Sequence, residues 1–143
     1  MASTLKINTL TGVTTAGSIA VTAEGNSTTT NLQQGLAKSW VNHNKGASIN
    51  DSLNVASLTD NGTGQHRHTL TNLHANVSYA VSGSTIGDGS TQSQAYTYTY
   101  IGGGDNAANS VHSTSVVYYN IIHHAGSLYD TEMVQVITHG DLA

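Results

Sequence analysis

The chain of 143 residues has no cysteine, no proline and no phenylalanine, and only 8% of its residues are charged. Without cysteine it can form neither a disulfide framework nor a metal site built on thiolates. Its four lysines and arginines are outnumbered by eight aspartates and glutamates, which gives a net charge of −4. A basic surface for nucleic-acid phosphates or anionic lipids is therefore excluded.

The sequence also lacks the signals of a membrane or secreted protein. No apolar run approaches the ~18 residues of a membrane-spanning helix. The beginning of the chain, MASTLKINTL, lacks the basic-then-apolar order of a secretion signal. We therefore expect a soluble protein made inside a cell, with no membrane insertion and no nucleic-acid partner.

What is present is an uncharged polar composition rich in Ser, Thr, Asn and Gly, with seven tyrosines and one tryptophan. Hydrophobic residues make up 37% of the chain, which would leave a monomer with a thin core. Disordered chains usually combine low hydrophobicity with high charge, and here the charge is missing. The composition thus predicts a β-rich chain that completes its core by oligomerising.

The clearest local signal is a β-hairpin over residues 51–73. Two runs of alternating apolar and polar residues flank a cluster of Gly, Asn and Asp at residues 60–64, as hairpins require. Alternate residues of a strand share a face, so His66, His68 and Leu70 point to the same side. Two histidines therefore stand where a core would carry aliphatic side chains.

The N-terminal part is predicted to be an arm. Residues 1–25 carry short stretches of period-two alternation that are interrupted by glycine. This pattern favours two short strands or an extended arm. Because such an arm buries little by itself, we expect it to pair with another chain or to attach to a larger particle.

Residues 26–45 are predicted to contain the one helix of the chain. Leu32, Leu36 and Trp40 recur at i, i+4 and i+8, which indicates a helix over residues 31–41. About ten residues are too few for an isolated helix in water, so this stripe must pack on the β domain or on its own symmetry mates. We assign the three residues to oligomer packing.

Residues 46–143 are predicted to form an antiparallel, sandwich-like β head. Alternation predicts further strands at residues 77–83, 95–101, 111–122 and 133–138. A turn region is expected at residues 42–50, and glycine-rich loops are expected at residues 83–93 and 102–109. The tyrosines at 96, 98 and 100 share one strand face, and they belong either to the core or to an exposed ladder on which sugars stack.

The pair His66 and His68 is the sharpest candidate for a metal site. In a trimer with this strand beside the threefold axis, six imidazole nitrogens would surround one point, an octahedral arrangement suited to a divalent transition metal. The alternative is two partly buried histidines that are hydrogen-bonded to their neighbours. No other cofactor is expected.

An enzyme is not expected. Hydrolysis of a polysaccharide needs two carboxylates ~5–10 Å apart around the scissile bond. Asp130 and Glu132 are candidates to share a strand face, but no convincing acid/base pair stands out. No glycine-rich phosphate loop or nucleophile elbow is present.

Five segments of the chain carry a family resemblance: TLKINTLTG, GSIAVTAEGNSTTTNLQQGLAKSW, DSLNVASLTDNGTG, ANVSYAV and HGDLA. Together they resemble the tail-fibre proteins of marine tailed phages, particularly those of cyanobacteria. The resemblance extends from end to end, and residues 17–40 are its most specific part. The chain departs from the family pattern at His43, His66 and His68, where relatives carry aromatic or aliphatic residues.

The resemblance implies a virion structural protein that is assembled in the host cytoplasm as a homotrimer. Its N-terminal arm would bind other tail or capsid proteins, and its distal β head would contact a host surface glycan or protein. Two alternatives remain: an architectural capsid-decoration or tail component without a receptor role, and a polysaccharide-degrading enzyme. The candidate receptor contacts are Asp88, Tyr98, Tyr100, Asp105 and Asn106.

Overall fold

A computed structural model describes residues 5–12, 19–22, 29–87, 98–100, 113–122 and 126–141, with the backbone alone at residues 33, 34 and 98–100. The chain divides into two compact units, Met1–Leu36 and Ala37–Ala143. In chain order the elements are β1 (Ala20–Thr22), β2 (Thr29–Asn31), α1 (Leu32–Gly35), β3 (Ala37–Asn44), β4 (Ile49–Leu53), β5 (Val55–Gly62), β6 (Gln65–Leu70), β7 (Ala80–Ile86), β8 (Tyr98–Tyr100), β9 (Val116–Ile122) and β10 (Met133–His139). Among the described residues no helix has the length and apolar character that a membrane span needs.

The N-terminal unit contains one small sheet. β1 and β2 pair antiparallel, and the backbone N–H of Leu32 donates to the carbonyl of Ile19 at 2.9 Å. Residues 5–12 form neither helix nor strand. The side chains of Leu5 and Leu10 are 80% and 54% exposed, so the described part of this unit leaves apolar surface in water.

The helix predicted over residues 31–41 is wrong. α1 is a single turn of four residues, and β3 begins two residues after it. The physical reason is a second periodicity: Ser39, Val41 and His43 are all buried, and only a strand places alternate residues on one face. As a strand, β3 also makes the backbone hydrogen bonds of an antiparallel pairing with β10, which a helix at this position could not make. The compact β unit therefore begins at Ala37, earlier than residue 46.

The second unit is built from two four-stranded antiparallel sheets, which confirms the mainly-β prediction. The first sheet has the strand order β4-β3-β10-β7, and the second sheet has the order β5-β6-β9-β8. Each sheet combines strands that are adjacent in sequence, such as β3 with β4 and β5 with β6, with strands that lie far apart in sequence, such as β3 with β10 and β6 with β9.

The hairpin predicted over residues 51–73 is confirmed as β5 and β6. His68 lies opposite Leu58, and His66 lies opposite Asp60. Gly64, at a φ of 65°, is required at the turn because a Cβ there would lie 2.6 Å from the backbone nitrogen of Tyr129.

Asn54 carries the chain from the first sheet to the second. It adopts a left-handed φ of 57° between β4 and β5. Its side-chain Nδ2 donates to the carbonyls of Lys38 at 3.0 Å and Asn72 at 2.9 Å, and its Oδ1 accepts from the N–H of Asn72 at 2.6 Å. This asparagine therefore fixes both the crossing point and the loop after β6.

The two sheets contribute to one buried core. Its hydrophobic members are Val41, Leu70, Val117, Tyr119, Ile121, Val134 and Val136. Among the described residues the buried polar side chains outnumber these, and four of them are histidines: His43, His66, His68 and His74. The core is thus small and unusually polar.

Two loop expectations need correction. The loop predicted from residue 83 begins later, because β7 runs to Ile86 and pairs with β10 throughout. Residues 42–50, expected to form a turn region, contain the end of β3 and the start of β4. Most of the residues predicted as loops, 88–93 and 102–109, lie outside the described residues.

Candidate functional site

The outer face of the first sheet holds a shallow depression of about 360 Å³. Burial alternates along its strands, so the side chains that do not enter the core point away from it. Those that line the depression, here called the Trp40 face, are Trp40, Asn42, Ser82, Ser84, Gln135 and Ile137. The face belongs to one sheet, which makes it a rigid platform.

Strand pairing arranges the Trp40 face in two parallel rows. Trp40 lies opposite Ile137, which lies opposite Ser82. Two residues along each strand, Asn42 lies opposite Gln135 and Gln135 opposite Ser84. A row of an indole, an isoleucine and a serine hydroxyl therefore borders a row of two amides and a hydroxyl.

Hydrogen bonds orient the two amides of the polar row. The Oδ1 of Asn42 accepts from Nδ2 of Asn50 at 2.9 Å, and the Oε1 of Gln135 accepts from Oγ of Ser84 at 3.2 Å. Both amide NH₂ groups point to the sulfur of Met133, at 3.5 Å and 3.7 Å. A thioether is a weak acceptor, so these donors retain most of their hydrogen-bonding capacity.

The lining of the depression carries no charge among the described residues. Asp51, opposite Asn42 on β4, is the nearest acidic position in the polar row. A binding site of this composition has no cation to hold a phosphate or a carboxylate. It favours an uncharged ligand.

A second polar centre lies inside the core, at His43, His66, His68 and Tyr119. The Nδ1 of His43 lies 2.7 Å from the carbonyl of Asn44, which only accepts, so this nitrogen carries the proton. The hydroxyl of Tyr119 donates to Nε2 of His43 at 2.8 Å. The ring of His66 stands edge-on to that of His43, with centroids 4.8 Å apart. The centre is thus a packed aromatic cluster.

Burial lowers the pKa of His43 and of His66 in this cluster and so favours the neutral form of these two imidazoles. It lowers the pKa of His43 from 6.5 to about 4, and the bond to the Asn44 carbonyl opposes the shift only in part. Burial also lowers the pKa of His66, although the negative charges of Asp60 and Asp130 partly offset this by raising it. The same burial raises the pKa of the Tyr119 hydroxyl.

His66 is the anomaly of the cluster. It is 1% exposed, and neither of its ring nitrogens makes a hydrogen bond within the described part of the chain. A buried polar atom without a partner typically costs about 1–3 kcal/mol. The hydrogen-bonded alternative expected from the sequence for His66 and His68 therefore does not hold for His66 among the described residues.

The threefold-axis arrangement expected for His66 and His68 is incompatible with this position. Both side chains are enclosed by the chain's own sheets, at 1% and 0% exposure, so copies from neighbouring chains cannot converge on them. The described residues contain no group of three His, Asp or Glu side chains arranged to hold a metal ion. Binding of a divalent transition metal at His66 and His68 stays a prediction.

A further buried histidine, His74, stacks on Tyr79 with ring centroids 4.1 Å apart. Its Nε2 lies 3.1 Å from Oγ1 of Thr138, which is in turn 2.6 Å from Oγ of Ser39. Burial lowers the pKa of His74. This group ties the loop after β6 to the first sheet.

The receptor contacts proposed from the sequence are only partly described. The side chains of Tyr98 and Tyr100 lie outside the described part, although their backbone forms β8 as predicted. Asp88, Asp105 and Asn106 also lie outside it. Their contact role stays a prediction.

The oligomer-packing residues do not form the predicted stripe. Leu32 lies in α1, Leu36 follows it with 54% exposure, and Trp40 stands on β3 in the other unit. The carboxylates considered for hydrolysis are engaged elsewhere: Asp130 accepts from the Gly64 N–H at 2.6 Å, and Glu132 pairs with Lys45 at 2.9 Å.

Sequence reasoning missed the Trp40 face. The usable signal was the alternation of Trp40 and Asn42 with buried neighbours, repeated by Gln135 and Ile137 in β10. Comparisons with protein-family models, curated proteins and solved structures find no match to this chain. Function is therefore inferred from the residues and their geometry alone.

Proposed function

We propose that this chain is a virion structural protein of the tail-fibre type, a homotrimer whose β head contacts the surface of the host cell. The two four-stranded sheets of the head pack as a sandwich over their common core, and the Trp40 face meets the host. The N-terminal unit attaches the head to other tail or capsid proteins.

The single observation that carries this proposal is the Trp40 face. An isolated exposed apolar residue would need no explanation. Here an indole and an isoleucine line a depression together with oriented amide and hydroxyl groups. Concave sites with apolar walls and a few placed polar groups are typical of ligand-binding surfaces. Host contact is thus assigned to a sheet face in addition to the predicted loops.

The exposed apolar side chains of the N-terminal unit support an attachment role. Leu5, Ile7, Leu10 and Val21 are 80%, 50%, 54% and 51% exposed. Apolar surface of this kind gains free energy, roughly 25 cal/mol per Å², when a partner covers it. Neighbouring chains of the trimer or virion proteins at the attachment point would supply that cover.

The composition of the head supports oligomerisation. Its described hydrophobic core has seven fully buried members, and exposed apolar residues remain at Ile49, Leu53, Leu73 and Val77. A trimer would complete this small core. The expected mass by light scattering is about 44 kDa, three times the 14.8 kDa of the chain. A monomer mass at all concentrations would contradict the homotrimer.

The position of the protein on the virus particle tests the proposal directly. Gold-labelled antibody against the β head should mark the tail or its fibres in electron micrographs of purified virions. Label on the capsid shell would overturn the fibre assignment and favour an architectural decoration protein. Release of reducing ends from host polysaccharide by the pure protein would instead favour an enzyme.

A further inference from the structure

We propose that the Trp40 face binds an uncharged hexopyranose unit of a surface glycan, with the indole of Trp40 stacked on the sugar ring. This inference rests on the proposed host-contact function and names the class of ligand for that site.

The two rows of the face match the two kinds of surface on a sugar ring. A pyranose presents C–H groups on a flat face and hydroxyl groups around its edge. The row of Trp40 and Ile137 offers apolar side chains for the C–H face. An indole supplies large apolar contact area with few rotatable bonds, so little conformational entropy is lost on binding. The row of Asn42, Gln135 and Ser84 lies along the edge.

The hydrogen-bonding state of the polar row points to a ligand with oxygen acceptors. Asn50 and Ser84 hold the carbonyl oxygens of the Asn42 and Gln135 amides, which leaves both NH₂ groups directed at the Met133 sulfur. A hydroxyl oxygen accepts hydrogen bonds better than a thioether. A sugar hydroxyl above the row would therefore improve on the contacts that these donors now make.

Charge and size exclude the main competing ligands. The described lining has no cation, so a phosphate or an anionic sugar would lose its hydration without a counter-charge. The depression of about 360 Å³ lies near the lower end of the range for small-ligand sites, and it suits one or two sugar rings. A second copy of the chain remains the competing occupant, and the experiment below separates the two.

Because Trp40 is the only tryptophan of the chain, its fluorescence reports on this face alone. We would titrate the full chain with the neutral methyl glycosides of glucose, galactose, mannose and N-acetylglucosamine, and with glucuronic acid as the anionic comparison. At least one neutral glycoside should give a saturable shift of emission and protection from acrylamide quenching, with a Kd on the order of 1–10 mM. Glucuronic acid should give none.

Two variants that keep the reporter test the polar row. Gln135→Ala and Ser84→Ala should each weaken the neutral-sugar response about fivefold, the effect of one lost hydrogen bond. Ser57→Ala is the matched control, because Ser57 is an exposed strand residue of the second sheet. It should leave the response unchanged.

The absence of a saturable response to all four neutral glycosides would overturn the inference, as would an equal response in Gln135→Ala and the parent chain. Trp40 emission that moves to longer wavelength only as the oligomer dissociates on dilution would assign the face to a second copy. Binding of labelled protein to host cells is measured in parallel. If the protein binds host cells but gives no response to the sugars, the glycan inference is rejected and the host-contact function is retained.

Discussion

The hydroxyl of Tyr119 on β9 donates a hydrogen bond of 2.8 Å to Nε2 of His43 on β3, and so joins the second sheet to the first through the core. The other nitrogen of His43 is satisfied by the Asn44 carbonyl. Both partners are almost completely buried. The bond therefore fixes the tautomer of an imidazole that has no access to water.

Tyr119→Phe should destabilise the protein by about 1–3 kcal/mol, because it leaves Nε2 of His43 buried without a donor. Tyr118→Phe is the matched control. Tyr118 lies next to Tyr119 but on the opposite face, where its hydroxyl accepts from Arg67 at 3.1 Å in a partly exposed position. Its loss should cost less than about 1 kcal/mol. Urea unfolding measures both variants, and equal effects would contradict the special role of the Tyr119 bond.

Acid should destabilise the fold across a defined pH window. Burial lowers the pKa of His43 from 6.5 to about 4, and it lowers the pKa values of His66 and His74 as well. A histidine whose pKa is lower in the folded state than in the unfolded state contributes its full stabilisation above the pKa of the unfolded state. This stabilisation is lost as the pH falls towards the pKa of the folded state. For His43 the loss amounts to up to about 3 kcal/mol between pH 6.5 and 4.

The urea concentration at the unfolding midpoint should accordingly decrease when the pH is lowered from 7.5 to 4.5. We expect the oligomer to loosen over the same pH range. Light scattering at about pH 5 measures the loosening of the oligomer as a decrease in its mass. Identical urea midpoints at the two pH values would show that the imidazoles are not buried neutral groups.

His66 and His43 should respond in opposite ways to replacement by leucine. His66→Leu removes an imidazole that has no hydrogen bond in the described part of the chain, so it should be neutral or stabilising by up to about 2 kcal/mol. His43→Leu leaves the buried Tyr119 hydroxyl without its acceptor, whereas the Asn44 carbonyl keeps the bond from the Ala47 N–H, and the change should cost about 1–3 kcal/mol. Both variants should also reduce the acid sensitivity.

Strong destabilisation by His66→Leu would mean that the imidazole has a partner, such as a buried water or a metal ion. Elemental analysis of the purified parent protein, prepared without chelators, separates these two. A metal content that disappears in His66→Leu would support the metal hypothesis for His66 and His68.

Local patterns were sufficient to predict the hairpin of β5 and β6, including the shared face of His66 and His68. Period-two alternation and a glycine-rich turn need no information from the rest of the chain. The helix predicted over residues 31–41 failed for the opposite reason. Helical spacing of Leu32, Leu36 and Trp40 coexists there with the strand alternation around Val41, and the partner that decides between them, β10, lies about ninety residues away.

The Trp40 face shows alternation within each strand, but its two rows could not be predicted from the sequence, for the same physical reason. Its residues come from β3, β7 and β10, and only the pairing register brings them into two rows. A shift of one residue in any strand would turn its contribution into the core. That the His66 nitrogens make no hydrogen bond with the described residues could not be predicted from the sequence either, because the partners of a buried group come from other strands.

Asn54 combines a left-handed backbone conformation with three side-chain hydrogen bonds at the crossing between the sheets. Asn54→Ala removes all three bonds and places a Cβ in a conformation that costs about 1–2 kcal/mol for residues other than glycine and asparagine. Asn54→Gly removes the same bonds but tolerates the φ of 57°. We expect both to destabilise the fold in urea unfolding, with alanine worse than glycine by about 1 kcal/mol.

Ala47, at a φ of 54° in the turn between β3 and β4, supplies the reciprocal control. Ala47→Gly should stabilise the protein by up to about 1 kcal/mol, since strain is relieved there with no side-chain bond to lose. If alanine and glycine at position 54 were equally tolerated, the crossing would depend on neither the backbone conformation nor the side-chain bonds of Asn54.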